Sequence, residues 1–395
     1  MKPEYKNLRS LAAAFLLLVL FAGVVHIAAG HLDLKTDDGS FGPWYSADKD
    51  LSYNGITDNL EENTVLLLGS SEFKYGRTTR YHPVNLFADE DFDFMEVGGP
   101  LNQSLFHAVV AGAVAPKLKS GKVILFLSPT WFNKKGVSSG DYALRFSETQ
   151  YIHFLENPDV SAEGREYVIS RTNDLLENKK KWHGKVSLIN RALADENAGP
   201  LTRFLFKIER ILAEDRDRMS TSLLLRIANK DKFDPLLPQT GQYDVQDLIK
   251  MEKEAVEESE PISTNPFLMK DSTWERDYIK KYKGLKGEHT GSIRKKSPEM
   301  DDLRAFLEVC RSTGLKTKVI ILPVNGRWFD YVGCDKSRRD AMADRVIKMS
   351  EEYGAEAVNL MEYAYVPYLT NDSSHPWHVG WLKVDKEVLE FCEKE

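Results

Sequence analysis

Four short runs constrain the fold more than any other feature of this chain. They are "TVLLLG" from Thr64, "FDFMEVGG" from Phe92, "KVILFLSP" from Lys122 and "KTKVIILPVNG" from Lys316. Each is apolar almost without interruption and ends in Gly or Pro. An amphipathic strand would alternate; a continuous run fits a parallel strand covered on both faces. A weaker fifth run, "AEAVNLMEY", starts at Ala355. Parallel strands need crossovers, and the intervening sequence supplies them. Gln103 to Lys117 reads as one crossover helix. Pro298 to Thr313 reads as another, opened by Ser297-Pro298 and stopped by Gly314. The expected fold is α/β: a parallel sheet flanked by helices.

Between the third and fourth runs, from about 140 to 298, strand signals vanish and helical spacing takes over. "EGREYVISRTNDLLENKKKWH", "LTRFLFKIERILAEDRDRMSTSLLLRIAN" and "VQDLIKMEKEAVEESE" carry it. This predicts a large helical insertion packed on the sheet domain rather than an independent module. Its acidic cluster, Glu252 to Glu260, and basic cluster, Lys280 to Lys296, read as solvated helix faces. A net charge of −7 gives no reason to expect nucleic acid as a partner. Cys310, Cys334 and Cys392 are far apart and lack metal spacing, so buried thiols are expected rather than a disulfide framework.

The N-terminus carries a separate signal. Lys2, Lys6 and Arg9 precede "LAAAFLLLVLFAGVVHIAAG", Leu11 to Gly30, long enough as a helix to cross a hydrocarbon core of about 30 Å. Basic residues flank only its N-terminal side, and Asp33, Asp37 and Asp38 follow it. Residues 1–10 are therefore expected in the cytoplasm, 11–30 in the bilayer and 31–395 outside the cytoplasm. A cleaved signal peptide, processed near Ala28 and Gly30, is the rival, though the apolar run is long for one. Either way the domain lies where ATP-driven chemistry is not expected.

The first run leads straight into Gly69-Ser70-Ser71-Glu72. Serines at a strand-to-helix turn commonly do no more than cap backbone amides. Catalysis needs a base and an orienting acid as well. "TNDSSHPWHVGWLKVD", near the other end of the chain, offers both: Asp372 stands three residues before His375, in a loop between the last strand and the terminal helix. Strand ends of a parallel sheet gather at one edge, where such folds bind ligands. There an imidazole could take the serine proton while the carboxylate fixes its tautomer. The Ser71 amide begins an oxyanion hole, and Gly98 and Gly99 allow further backbone N–H groups to approach. His153, His183 and His289, in the insertion, have no carboxylate at useful spacing and are not expected in the triad.

These blocks resemble the DltD family, membrane-anchored proteins of D-alanine transfer to teichoic acids. The resemblance runs through "LLGSSE", "LSPTWF", "RFSETQ", "TNPFLMKDSTW", "LPVNGRWFDYVG" with "RR" after it, and "DSSH…GW…VD", in that order. The family is similar to SGNH hydrolases, so an SGNH-hydrolase-like fold is implied. Carried over by position, Ser71 matches the nucleophile, Asp372 and His375 the DxxH pair, and Gly98 the second-block glycine. The superfamily's third-block Asn has no counterpart, since "SPTWF" occupies that place. A second histidine, His378, breaks the DxxH spacing and is the less favoured base.

The resemblance implies an extracytoplasmic serine acyltransferase that needs no cofactor or metal. It would take a D-alanyl donor, a teichoic acid polyol acceptor and a membrane-bound O-acyltransferase as partners. Two other readings stay open: a non-catalytic assembly factor for that acyltransferase, and a simple cell-envelope esterase.

Overall fold

The computed structural model describes residues 3–36, 39–227, 237–289 and 291–394 of the chain. Lys2, Asp37 and Asp38, used above to orient the N-terminal helix, lie outside them. Five strands form one parallel sheet: β1 (Thr64–Leu68), β2 (Asp93–Val97), β3 (Lys122–Leu127), β4 (Lys316–Ile321) and β5 (Glu356–Asn359), in the order β2-β1-β3-β4-β5. The weak fifth run is thus one of the two edge strands, and its partly exposed residues explain its fainter apolar signal.

Side chains alternate between the two faces of the sheet. Leu66, Leu68, Val123, Leu125, Val319 and Ile321 feed one core; Val65, Leu67, Ile124, Phe126 and Ile320 feed the other. Helices Ser104–Val114 and Pro298–Ser312, the expected crossovers, contribute to the first core. The terminal helix His378–Cys392 contributes Val379, Trp381, Val384 and Leu389 to the second. Because both faces are covered, each strand reads as a continuous apolar run. Each such buried aliphatic side chain stabilises the fold by about 1.5–3 kcal/mol.

The chain leaves β1 towards edge strand β2 and then returns to β3 on the other side of β1. This reversal of strand order opens a crevice at the carboxyl ends of β1 and β3, the usual ligand position in open α/β sheets.

Among the described residues, the regular elements between β3 and β4 are all helices. Ser138, Ser147 and Ser161 each accept a backbone N–H three residues on, starting helices Ser139–Arg145, Glu148–Glu156 and Ala162–Leu176. Each cap contributes about 1 kcal/mol. Helix Pro200–Ile227 departs from the expectation of an apolar face packed on the domain. Its domain side buries Phe206, Ala213, Asp217 and Thr221, while Leu201, Phe204, Ile208 and Leu212 face outward. The buried side is held by polar contacts: Asp217 Oδ2 accepts from the Asn54 amide at 2.8 Å and side chain at 2.7 Å, and Thr221 Oγ1 donates to Ser52 Oγ at 2.7 Å.

The N-terminal helix, Pro3–Gly30, has a span from Leu8 to Gly30 long and apolar enough to cross a membrane. All three cysteines are buried and free.

Candidate active site

At the end of β1 the chain has no room for side chains. A Cβ on Gly69 would lie 2.5 Å from Glu72 Oε1, and one on Gly98, at the end of β2, only 2.3 Å from the Gly69 carbonyl oxygen. A Cβ at Gly98 would meet backbone and is excluded, whereas one at Gly69 would displace the Glu72 carboxylate and the Phe73 ring; the two glycines bring two strand ends into backbone contact. Ser70 makes the turn and is 2% exposed. Its amide donates to Glu72 Oε1 at 2.5 Å and its hydroxyl to the Gly99 carbonyl at 3.3 Å. Ser71 stands immediately before the short helix Glu72–Tyr75, with helical φ/ψ of −69° and −18°. Its side chain makes no capping bond, so it is left for other use. The two hydroxyls differ in kind: one is buried in the loop, the other half-exposed at the crevice.

The aspartate–histidine loop arrives from the far end of the chain. An isolated bridge between Thr370 and Pro376 pinches its base, and the Asn371 amide donates to the His375 carbonyl at 2.9 Å. Asp372 Oδ1 accepts the amides of Ser374 at 2.8 Å and His375 at 2.9 Å, a side-chain turn of the kind Asp favours. This leaves Oδ2 for His375 Nδ1 at 2.6 Å, and His375 Nε2 lies 2.8 Å from Ser71 Oγ. The Tyr75 ring, one helical turn past Ser71, stands 4.8 Å from the imidazole.

Several sequence blocks brace this loop. Lys270 N donates to the Asn371 carbonyl at 3.2 Å, Thr273 Oγ1 to Asn371 Oδ1 at 2.8 Å, and Tyr278 Oη to Ser373 Oγ at 3.2 Å. Asn325, from "LPVNG", donates its amide to the Ser373 carbonyl at 2.9 Å and its side chain to Thr370 Oγ1 at 3.2 Å. The motifs are dispersed in sequence but meet around one loop.

The electrostatics suit a base and its orienting acid. Burial works against the charged His375, but the facing Asp372 carboxylate outweighs it, and the imidazole pKa is raised above 6.5. Burial likewise pushes Asp372 up; the His375 charge and the three hydrogen bonds overcome it and hold the carboxyl below the usual range. Glu72, buried beneath the serine turn, is pushed up by desolvation to about 7 despite its backbone hydrogen bonds and His375.

The expected oxyanion donors divide. The Gly98 amide donates to Asp50 Oδ2 at 3.2 Å, so Asp50 already holds it. Asp50 is fixed in turn by Gln150 Nε2, which donates to its carbonyl at 2.8 Å, and burial pushes its carboxyl up. Among the described residues the Ser71 and Gly99 amides donate no hydrogen bond. Arg145 donates to the Pro100 carbonyl at 3.0 Å, beside Gly99. Where the superfamily Asn would stand, Ser128 Oγ and Thr130 Oγ1 bond each other at 2.9 Å.

Sequence reading did not assign Asp50, Glu72 or Arg145. Arg145 and Gln150 sit in "RFSETQ", so a signal existed without a role attached. Nothing local marks Asp50.

The other histidines lie elsewhere. His378 Nδ1 is 3.0 Å from Ser259 Oγ, and burial lowers its pKa to about 4. His153, expected to have no carboxylate at useful spacing, meets two: Glu214 Oε1 at 2.7 Å and, three residues along its own helix, Glu156 Oε2 at 3.9 Å, with the Tyr53 ring stacked at 3.5 Å. Glu214 is 61 residues away, beyond the reach of spacing arguments, whereas Glu156 stood within it. Among the described residues no group of His, Cys, Asp and Glu is arranged to hold a metal ion. A cavity of about 860 Å³, lined by Asn63, Lys122 and Lys316, lies at the strand starts, the opposite end of the sheet from Ser71.

The family model described as DltD protein matches residues 40–393. Protein DltD of Bacillus subtilis (strain 168) is 25% identical, over 95% of each chain. Protein DltD of Staphylococcus aureus (strain NCTC 8325 / PS 47) is 24% identical, over 86% of this chain and 84% of its own. Protein DltD of Lacticaseibacillus rhamnosus is 26% identical, over 85% and 78%. The residues matched by the family model take in the serine turn, the bracing blocks and the aspartate–histidine loop alike, and the chain belongs to the DltD family.

Proposed function

We propose that this protein is a membrane-anchored serine O-acyltransferase that passes D-alanyl groups to teichoic acid through an ester on Ser71. The observation that carries the chemistry is the relay from Ser71 Oγ to His375 Nε2 at 2.8 Å and from His375 Nδ1 to Asp372 at 2.6 Å. The DltD family's role in D-alanylation of teichoic acids supplies the substrate class. Residues 11–30 form the anchor and 31–395 the extracytoplasmic domain, with the helical insertion at about 140–298.

In the first half-reaction Ser71 Oγ attacks the donor carbonyl as its proton passes to His375 Nε2. The Ser71 and Gly99 amides face the developing oxyanion. Collapse breaks the bond to the leaving group, which takes the proton from His375, and the acyl ester on Ser71 remains. A polyol hydroxyl then gives its proton to His375 and attacks that ester. Ser71 leaves, recovers the proton, and the new ester sits on the acceptor. Ser71 is partly exposed and the Asp372 and His375 side chains are each 18% exposed, so the relay opens at the surface of the crevice, where an extended polymer acceptor can reach it. A membrane-bound O-acyltransferase is the partner that would present the alanyl group.

The test is to incubate the full-length protein with a D-alanyl thioester donor, quench in acid and map the adduct by mass spectrometry. A D-alanyl adduct is expected on the Ser71 peptide and absent from Ser71→Ala. Added polyol phosphate acceptor should discharge it as acceptor ester; discharge as free D-alanine would instead mark an esterase. Equal transfer by wild type and Ser71→Ala in membranes holding the acyltransferase would leave only the assembly-factor reading.

A further inference from the structure

Helix Pro200–Ile227 is 28 residues long, about 42 Å at 1.5 Å per residue. Leu201, Phe204, Leu205, Ile208 and Leu212 recur at helical spacing on one side, and all are at least 43% exposed. The stripe resumes at Met219 and Leu223, 47% and 58% exposed. Soluble domains rarely leave a contiguous apolar surface of this length in water.

What meets the stripe is indicated by the anchor. Asp215 lies within it, between Leu212 and Met219, and its carboxylate meets His26 Nδ1 of the N-terminal helix at 2.8 Å. Ala29, one turn on, is 1% exposed, whereas the anchor residues from Leu8 to Val24 are exposed. The His26–Asp215 contact and the buried Ala29 thus place a crossing of the anchor's last turns on the apolar stripe. His26 is four residues before Gly30, where the apolar span ends, which puts the crossing about 6 Å inside that end. Amphipathic helices in the plane of a membrane bury their apolar faces about 5–10 Å deep.

We propose that helix Pro200–Ile227 lies in the outer interface of the lipid bilayer, with the Leu201–Leu223 stripe among the acyl chains. This rests on the reading of residues 11–30 as a membrane anchor. The helix and the anchor then form a two-point attachment, locked by the His26–Asp215 contact, that fixes the domain's orientation to the membrane. The domain side of the helix holds its place with Phe206, Ala213, Asp217 and Thr221, and the longer apolar stripe is left to lipid.

The experiment uses the full-length protein in phosphatidylcholine–phosphatidylglycerol vesicles with no other protein. Single cysteines replace Phe204, Ile208 or Leu212, all exposed, and carry an NBD fluorophore; the native thiols are buried. Lys348→Cys, on the exposed face of helix Lys336–Glu352, is the reference for water. The three stripe labels should be quenched by shallow doxyl lipid at least several-fold more than the label at 348. The double variant Ile208→Glu with Leu212→Glu should abolish that quenching at 204 while leaving the melting temperature unchanged. Flotation with the vesicles but labels as wet as the reference would overturn the proposal and leave the stripe to a protein partner. Failure to float would overturn the anchor reading and this inference with it. Adduct formation on Ser71 is read separately and is independent of either result.

Discussion

Replacing Asp372 by Asn separates the chemical role of this carboxylate from its structural one. Asp372 Oδ1 holds the amides of Ser374 and His375, and Oδ2 meets His375 Nδ1. In Asp372→Asn the amide oxygen keeps the two backbone bonds, which dictates its orientation. The NH₂ group must then face Nδ1. It can only donate, so Nδ1 becomes an acceptor and the ring proton moves to Nε2, opposite Ser71 Oγ. An imidazole in that tautomer cannot take the serine proton. The expected loss in kcat is ~10⁴-fold, as for the same change in other serine triads, or about 5.5 kcal/mol at 1.36 kcal/mol per decade. Asp372→Ala also removes both loop acceptors, at about 0.5–1.5 kcal/mol each. Adduct formation on Ser71, followed by rapid-quench mass spectrometry, reads the first effect; thermal unfolding reads the second. Asp372→Asn should unfold at the wild-type temperature, and Asp372→Ala about 2–6 °C lower. Acylation by Asp372→Asn within 10-fold of wild type would refute the tautomer reasoning, and Asp372 would then be only a loop staple.

Further outcomes follow from the same geometry. Ser71→Ala should lower acyl transfer by ~10⁶-fold, whereas Ser70→Ala removes a 3.3 Å bond to the Gly99 carbonyl and should cost ~10-fold; a serine-directed phosphonate found on Ser70 would reverse the assignment. His375 acts as a base only when neutral, and Asp372 raises its pKa, so kcat/KM should fall as pH drops through a value above 6.5. In Asp372→Asn that limb should move to lower pH, and an unmoved limb would mean that another group titrates. His378→Ala, which loses the Ser259 bond, the 3.8 Å approach to Glu258 and the Tyr81 ring contact, all away from Ser71, should keep transfer within several-fold of wild type. His153→Ala should lower the melting temperature by breaking the Glu214 contact and Tyr53 stack while leaving transfer intact; a loss matching His375→Ala would place the base in the insertion.

Features that depend on neighbours along the chain were legible in the residues alone. Continuous apolar runs marked strands covered on both faces, because burial leaves no polar alternation to see. Gly69 marked the turn, since only a residue without Cβ lets Glu72 fold back beneath Ser70. The three-residue spacing marked Asp372 and His375, because a loop that short brings the carboxylate to Nδ1. Tertiary structure decided the rest. Ser71 and His375 are 304 residues apart, and they meet only because strand order reverses at β1 and the loop after β5 reaches the same sheet edge. Asp50 takes the Gly98 amide through a contact that no spacing could announce. The apolar face of helix Pro200–Ile227 was legible as periodicity, and its direction was not. A 3.6-residue repeat specifies that a helix has an apolar side; which medium that side meets depends on what packs against the opposite one. Here Asn54 and Ser52 pack against it, joined to Asp217 and Thr221 by hydrogen bonds, and the apolar side is left facing outward at the foot of the anchor.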